Sequence, residues 1–192
     1  MEIADLDRLA EIRKLPKEVH NAGNGYYLQG DNHSDDLFMY LKKPLVATDG
    51  IEPDQAYEIT FRIEFASNAP EGCFGIGGAP GESVYLKLGA STVEPVPTLE
   101  RSYVSINVDK GFQGESGRDA QVVSDIANGL HTPCDQPQLW RYVLSRRSLH
   151  FPHPVKSDSN GTLWIFLGTD SGFEGLTGLY YHKIAVMLKP VS

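Results

Sequence analysis

The feature that most constrains this chain is residues 56–66, where apolar and polar side chains alternate. The apolar positions are Tyr57, Ile59, Phe61, Ile63 and Phe65, and the polar ones are Glu58, Thr60, Arg62 and Glu64. Side chains of a β-strand point alternately to the two faces of a sheet, whereas helical spacing would scatter these aromatic rings around the axis. The run therefore predicts an antiparallel strand with one buried face and one solvated face.

Similar short runs recur along the chain, separated by turns rich in Gly, Asp, Asn and Pro. The further predicted strands are 26–29, 37–42, 73–76, 84–88, 103–108, 140–145, 163–167 and 179–188. Strands without intervening helices are typical of sandwiches and barrels rather than of parallel α/β sheets. We therefore expect an all-β fold, a two-sheet antiparallel β-sandwich. The segment 109–138 has few strand signals and is expected to be an excursion from it.

Residues 4–13 carry a helical pattern. Leu6, Leu9 and Ile12 recur at helical spacing, acidic residues lie near the start, and Arg13 lies near the end, which suits the helix dipole. Pro16 would end the helix. The predicted organisation is an N-terminal helical appendage over residues 1–22, followed by a single β-sandwich domain over residues 23–192.

Charge and hydropathy argue against two classes of partner. The chain of 192 residues has a formal net charge of −8, whereas nucleic-acid binding requires a basic face. No stretch of the sequence is long and apolar enough to cross a bilayer. A carbohydrate or another small polar ligand is the partner expected, and the oligomeric state is left open.

The N-terminus and the cysteines leave the localisation open. Residues 1–7 lack the basic start and the apolar region of a signal peptide. The protein is expected either to be cytoplasmic or to be exported with its signal absent from this sequence. Cys73 and Cys134 could form a disulfide in an exported protein or remain as two buried thiols.

The densest polar cluster spans residues 30–36, between two predicted strands. Asp31, Asp35 and Asp36 offer three carboxylates within six residues, and a hard cation such as Ca²⁺ prefers oxygen ligands. The spacing differs from that of an EF-hand loop. The same residues could instead form a turn in which Asp and Asn side chains bond their own backbone.

Two further polar loops, 109–119 and 168–175, each follow a predicted strand. Their side chains could bond the hydroxyl groups of a ligand or stack on its apolar face. The predicted ligand-binding residues are Asp109, Phe112, Arg118, Asp119, Asp170, Phe173 and Glu174. The glycine-rich segment 75–83 does not match a phosphate-binding loop, because Pro80 interrupts it and a strand follows, so close backbone packing is expected there.

Two parts of the chain resemble a known fold family. The turn Gly50-Ile51-Glu52-Pro53, followed by Tyr57 and Phe61, is similar to a strand of the galactose-binding-like jelly rolls found in many carbohydrate-binding modules. Residues 161–168, the polar loop after them, and residues 179–186 resemble the closing strand pair of the same folds. The resemblance implies a jelly-roll sandwich, a saccharide ligand and a structural Ca²⁺. His182 stands where these modules usually carry Asp, which departs from their metal site.

These observations favour a non-catalytic ligand-binding module that recognises a saccharide or a similar polar ligand through the 31–36, 109–119 and 170–174 loops. The sequence has no nucleophile elbow and no zinc-protease motif. One alternative is a glycan-active hydrolase or lyase whose carboxylates are scattered in sequence. Another is a structural or adhesion domain without a small ligand. Fold alone does not choose among the three, whereas exposed aromatic side chains would favour binding and paired accessible carboxylates would favour catalysis.

Overall fold

The computed structural model describes residues 7–19, 23–34, 36–100 and 103–191. Its strands are β1 (Leu9–Lys14), β2 (Asn24–Asp31), β3 (Leu37–Leu45), β4 (Ala56–Ser67), β5 (Val84–Ser91), β6 (Pro97–Glu100), β7 (Tyr103–Ile106), β8 (Ala120–Asp125), β9 (Val143–His150), β10 (Val155–Lys156), β11 (Leu163–Ser171) and β12 (Leu176–Pro190). Short 3-10 turns lie at Ala47–Asp49 and Pro137–Leu139. Within the described ranges, no helix has the length and apolarity that crossing a membrane would need.

The strands form two antiparallel sheets that pack face to face. The larger sheet has the order β1-β2-β12-β4-β10, with β9 also paired to β4, and the smaller has the order β3-β11-β5-β8. Strands β6 and β7 form a separate hairpin. This architecture confirms the all-β, two-sheet antiparallel sandwich predicted from the alternating pattern.

The core lies between the sheets and is built around β4. All five apolar residues of its alternating run are at most 2% exposed. Opposite them lie Leu86 and Leu88 of β5 and Ile165 and Leu167 of β11. Because an odd–even alternation directs every second side chain to one face, these strands bury one face against each other.

Most predicted strands lie inside longer observed ones. The runs at 26–29, 37–42, 84–88, 163–167 and 179–188 fall within β2, β3, β5, β11 and β12. The predicted strand at 73–76 is wrong, because Gly75 and Gly78 pair with each other in a tight turn. The segment 109–138 contains β8, a strand that its pattern does not reveal.

The predicted N-terminal helix is wrong over its described part. Residues 9–14 form β1, which pairs with β2 in a register that places Ile12 opposite Tyr26. A short helix gains most of its stability by burying an apolar stripe, but Ile12 is 71% exposed. Pairing with β2 instead bonds the backbone and sets the Arg13 guanidinium 4.6 Å from the centre of the Tyr27 ring. This strand belongs to the larger sheet, while residues 1–6 lie outside the described residues.

Cys73 and Cys134 form a disulfide, which decides between the two alternatives that the sequence leaves open. The bond joins the turn before β5 to the segment before β9, across a separation of 61 residues. A cross-link between such distant positions removes many conformations from the unfolded chain.

The double variant Cys73→Ala/Cys134→Ala is expected to lower the free energy of unfolding by roughly 2–4 kcal/mol, through the gain in unfolded-state entropy. Urea denaturation measures the change. A reductant should destabilise the natural chain by a similar amount and leave the double variant unaffected. Equal stability of the natural chain with and without reductant would contradict the prediction.

Candidate functional site

Three polar loops meet at one end of the sandwich. The loop between β2 and β3 contacts the β11–β12 connection, because the Asn32 side-chain amide donates to the carbonyl oxygens of Ser171 and Phe173, at 3.0 and 2.9 Å. Lys110 Nζ, from the loop between β7 and β8, donates to Asp170 Oδ2 at 2.7 Å and lies 3.6 Å from Asp36 Oδ1. We call this region, the described residues of 31–34, 36, 73–78, 109–117 and 170–176, the loop end.

A fully buried ion pair lies beneath the loop end. Lys87 Nζ and Asp170 Oδ2 are 2.7 Å apart, and both side chains have zero exposure. Lys87 projects from the outer face of the smaller sheet, since its neighbours Leu86 and Leu88 face the core. Asp170 comes from the adjacent strand β11. Because charges removed from water need close partners, this face has to be covered.

The cover is the segment between β5 and β8. Its backbone supplies a further acceptor, the Lys110 carbonyl oxygen, which lies 2.7 Å from Lys87 Nζ. Val108, Ala120 and Phe166 form a small second core under the same segment. The outer face of the smaller sheet is therefore packed at this point rather than open to a ligand.

Burial and neighbouring charges shift the pKa values of Lys87 and Asp36. Burial lowers the pKa of Lys87, and the neighbouring Asp170 carboxylate offsets part of that shift. The pKa of Asp36 is raised to about 6, mainly by burial and then by hydrogen bonding to Asp170 and repulsion from it, while Lys110 opposes the change. Asp170 Oδ1 is buried without a hydrogen-bond partner among the described residues. The charge of Asp36 therefore changes about one pH unit below neutrality.

Asp109, Arg118 and Asp119, predicted as ligand contacts, shape their own loop. The Asp109 carboxylate accepts the backbone N–H groups of Gly111 and Arg118, at 3.1 and 2.9 Å, and these bonds hold the pKa of Asp109 below its usual value. Asp119 Oδ2 accepts the Asp109 N–H at 2.9 Å, and its Oδ1 accepts the Arg118 guanidinium at 3.0 Å. These bonds fix the conformation that carries Phe112 and Lys110.

The predicted Ca²⁺ ligands are only partly placed. Asp31 lies 3.2 Å from His33, and Asp36 faces Lys110. Asp35 lies outside the described residues. In the part of the chain that the structure describes, no three His, Cys, Asp or Glu side chains gather as a metal site would need. Ca²⁺ binding by these three carboxylates therefore stays a prediction.

Large apolar side chains are exposed on the tips of these loops. Phe74 is 92% exposed, Ile76 72%, Leu176 56% and Phe112 55%. Phe112 was among the residues that the sequence predicts, whereas Phe74 and Ile76 fall in the strand predicted wrongly at 73–76. Exposed aromatic and aliphatic groups that share one end of a domain are a frequent mark of a binding surface.

Backbone contacts show that these tips are neighbours. The Glu174 N–H donates to the Ile76 carbonyl oxygen at 2.9 Å. A Cβ on Gly75 would lie 2.5 Å from the Phe173 ring, and one on Gly77, where φ is +69°, would lie 2.2 Å from the Gly172 carbonyl oxygen. Only glycine allows this approach, which confirms the close backbone packing predicted for the glycine-rich segment.

Phe173 and Glu174 take different positions in this contact. Phe173 is half-buried and packs against the main core as well as on Gly75. Glu174 is half-buried, with its Cγ 3.2 Å from the position that a Cβ on Gly77 would occupy. The Gln113 side chain lies 3.0 Å from the corresponding position at Gly172. The loop that carries Phe112 therefore touches the 172–174 turn, which in turn touches the 73–78 turn.

Comparisons with known proteins give distant likenesses of the fold. No protein-family model matches the chain, and no curated protein matches it. It is similar to a solved structure of carbohydrate-binding modules from the β-sandwich superfamily, described for their promiscuous specificity. The identity is 12% and the TM-score is 0.41, and the match covers 94% of this chain and 54% of that one. It is also similar to TmCBM61 in complex with β-1,4-galactotriose, with 10% identity and a TM-score of 0.36, covering 98% and 91% of the two chains.

The chain thus spans about half the length of the first of these structures. At such TM-scores and identities, neither likeness bears on what this chain binds. The membership of the galactose-binding-like family and the jelly-roll topology stay predictions. The function has to be argued from the loop end itself.

The variant Asp170→Asn is expected to lower the free energy of unfolding by roughly 3–5 kcal/mol, because the buried Lys87 ammonium loses its carboxylate. The double variant Lys87→Met/Asp170→Leu should recover a large part of this loss, since neither buried charge remains. Lys110 keeps Asp36 as a partner in both variants. Chemical denaturation at neutral pH measures the three stabilities.

The exposed pair Lys189–Glu58, at 3.2 Å, provides a matched control. Glu58→Gln is expected to change the stability by less than about 1 kcal/mol, because exposed ion pairs are weak. A loss for Asp170→Asn no larger than that of this control would show that the buried pair does not hold the cover in place.

Proposed function

We propose that this chain is a non-catalytic module that binds a saccharide, or a similar polar ligand, at the loop end. The observation that carries the proposal is the exposure of two aromatic rings, Phe74 and Phe112, on two loops that both contact the 172–174 turn. Hydrogen-bonding side chains of Asp36, Gln113 and Glu174 also belong to the loop end. A sugar presents apolar C–H faces and hydroxyl groups together, so it needs this combination of ring surfaces and polar groups.

The loops that carry the two rings are held in place from below. The disulfide of Cys73 precedes Phe74 directly. The Asp109 carboxylate bonds two backbone N–H groups of the loop that carries Phe112. Loops fixed before binding lose less conformational entropy when a ligand arrives, which supports a role in recognition.

The carboxylates of the loop end support binding rather than hydrolysis. Asp36 and Asp170 come together, but Asp170 is fully buried and accepts the ammonium groups of Lys87 and Lys110. A general acid or a nucleophile must reach the substrate, and Asp170 cannot do so under its cover. We therefore favour the binding module over the glycan-active enzyme.

We further propose that the protein works in an oxidising compartment. A disulfide between Cys73 and Cys134 persists outside the reducing cytosol. An extracellular or periplasmic location is also where polysaccharide ligands are met. Of the two localisations left open by the sequence, export is the one that the disulfide supports.

The test is binding of the full chain to a panel of soluble oligosaccharides and insoluble polysaccharides, by calorimetry and pull-down, with Ca²⁺ and with EDTA. Phe74→Ala and Phe112→Ala are each expected to weaken the binding about tenfold, the equivalent of 1.4 kcal/mol. Tyr103→Ala is the matched control, because Tyr103 is 77% exposed on the β6–β7 hairpin and is not part of the loop end.

Three other results of the binding test would change its interpretation. Binding that all three variants retain equally would place the saccharide elsewhere on the molecule. Binding lost only in EDTA, and lost likewise in Asp31→Asn, would support the predicted Ca²⁺ site. An absence of binding to every saccharide at millimolar concentration would contradict the proposed function.

A further inference from the structure

A concave region lies on the side of the sandwich, between the two sheets. It is a cleft of about 570 Å³, within the size range of small-molecule sites. Its walls are aliphatic, with Leu41, Leu45 and Ile165 from the smaller sheet and Ile184, Val186 and Leu188 from the larger. We call this region the side cleft. None of its lining residues belongs to the loop end.

The cleft exists because β2 pairs with only the first part of β12, so the edge of the remaining part is open. Strand β2 pairs with β12 from Leu176 to Tyr181. The register of β12 then shifts between Tyr181 and Lys183, and the rest of the strand pairs with β4. Strand β3 is the edge of the smaller sheet. Between β3 and the second half of β12, no described strand closes the sandwich.

The open side leaves apolar side chains in water. Ile184 is 40% exposed, and Val186 and Leu188 are half-buried, although all three face the smaller sheet. Burying such surface is favourable by roughly 25 cal/mol per Å². An apolar ligand that entered the cleft would therefore be bound by the same effect that closes the rest of the core.

A charged side chain at the rim of the cleft indicates which polar group the apolar ligand would carry at its end. Lys43 lines the cleft and is 63% exposed, and its Nζ lies 3.3 Å from Asp49 Oδ1. Exposed pairs of this kind are weak. Asp49 also lines the cleft, and its carboxylate accepts the Val46 N–H at 3.1 Å, so it keeps a hydrogen-bond partner when Lys43 turns away. Lys43 can thus meet an anionic group at the mouth of the cleft.

We propose that the side cleft binds a free fatty carboxylate, with its aliphatic chain between the sheets and its head group at Lys43. A β-strand from another protein is the less favoured occupant. The two open edges carry Lys43-Pro44 and Lys189-Pro190, and Lys and Pro on an edge oppose the addition of a strand. This site is separate from the proposed saccharide site and does not depend on it.

The test is calorimetric titration of the full chain with dodecanoate below its micelle concentration. Saturable binding at one site is expected, and dodecyltrimethylammonium, which has the same chain and the opposite charge, should bind at least about fivefold more weakly. Val186→Trp fills the cleft and should weaken dodecanoate more than tenfold. Ala185→Trp is its matched control, because Ala185 is the adjacent exposed residue of the same strand.

Four further variants keep the test decisive. Ile184→Ser, at a partly exposed position, should weaken dodecanoate even if Val186→Trp does not fold. Lys43→Glu should weaken dodecanoate and leave dodecyltrimethylammonium unchanged or tighter, whereas Lys189→Glu should leave dodecanoate binding unchanged. Phe112→Ala should also bind dodecanoate as the natural chain does, which separates this site from the loop end.

Several results would overturn the proposal. One is the absence of saturable dodecanoate binding. Another is equal binding by Val186→Trp and Ala185→Trp. Sedimentation with phosphatidylglycerol vesicles without binding of free dodecanoate would assign the cleft to a membrane surface instead. A dimer of the natural chain that Val186→Trp abolishes, again without dodecanoate binding, would assign it to a second copy.

Discussion

The buried pair of Lys87 and Asp170 requires that the outer face of the smaller sheet be covered from solvent at this point. Both charges lie on the outer face of this sheet with no exposure to solvent, and unpaired or wet charges there would be costly. The chain therefore has to lead the segment after β5 back across this face. That segment brings Lys110 to Asp170 and buries Phe166 beside Val108. The loop end is built on the same crossing, since Phe112 follows Lys110 by two residues.

Strand β11 shows which parts of the fold the sequence reveals. Its continuous apolar run predicts a strand, and the structure buries that strand on both faces, against β4 and β12 on one side and against Val108 and Ala120 on the other. The alternation in β4 is equally direct. The pattern at residues 4–13 misleads, because Leu9 and Ile12 fit a helix by spacing, whereas the free edge of β2 pairs with them as a strand.

The sequence marks the polar loops that meet at the loop end but not the roles of their side chains. Asn32, Lys110 and Asp170 bring the three predicted polar loops together. Ligand binding by these loops stays a prediction. Lys87 was not predictable as part of this site, since a Lys at an alternate position of a strand normally faces water. Its burial depends on a segment that folds over it from 23 residues further along the chain. The exposure of Phe74 was not predictable either, because a turn closed by the pairing of Gly75 with Gly78 replaces the predicted strand.

The shift of register in β12 separates two regions with different chemistry. Before it, β2 pairs with β12 and closes the sandwich. The Asn32 side chain there donates to the carbonyl oxygens of Ser171 and Phe173 and so joins the β2–β3 loop to the β11–β12 connection. After it, β12 has β4 on one side and the aliphatic cleft next to its other edge. A polar ligand gains from the fixed loops, because directional hydrogen bonds need a defined geometry. An aliphatic ligand gains from the open side, because burial of apolar surface is not directional. One strand thus lies next to both the proposed saccharide site and the proposed fatty-carboxylate site.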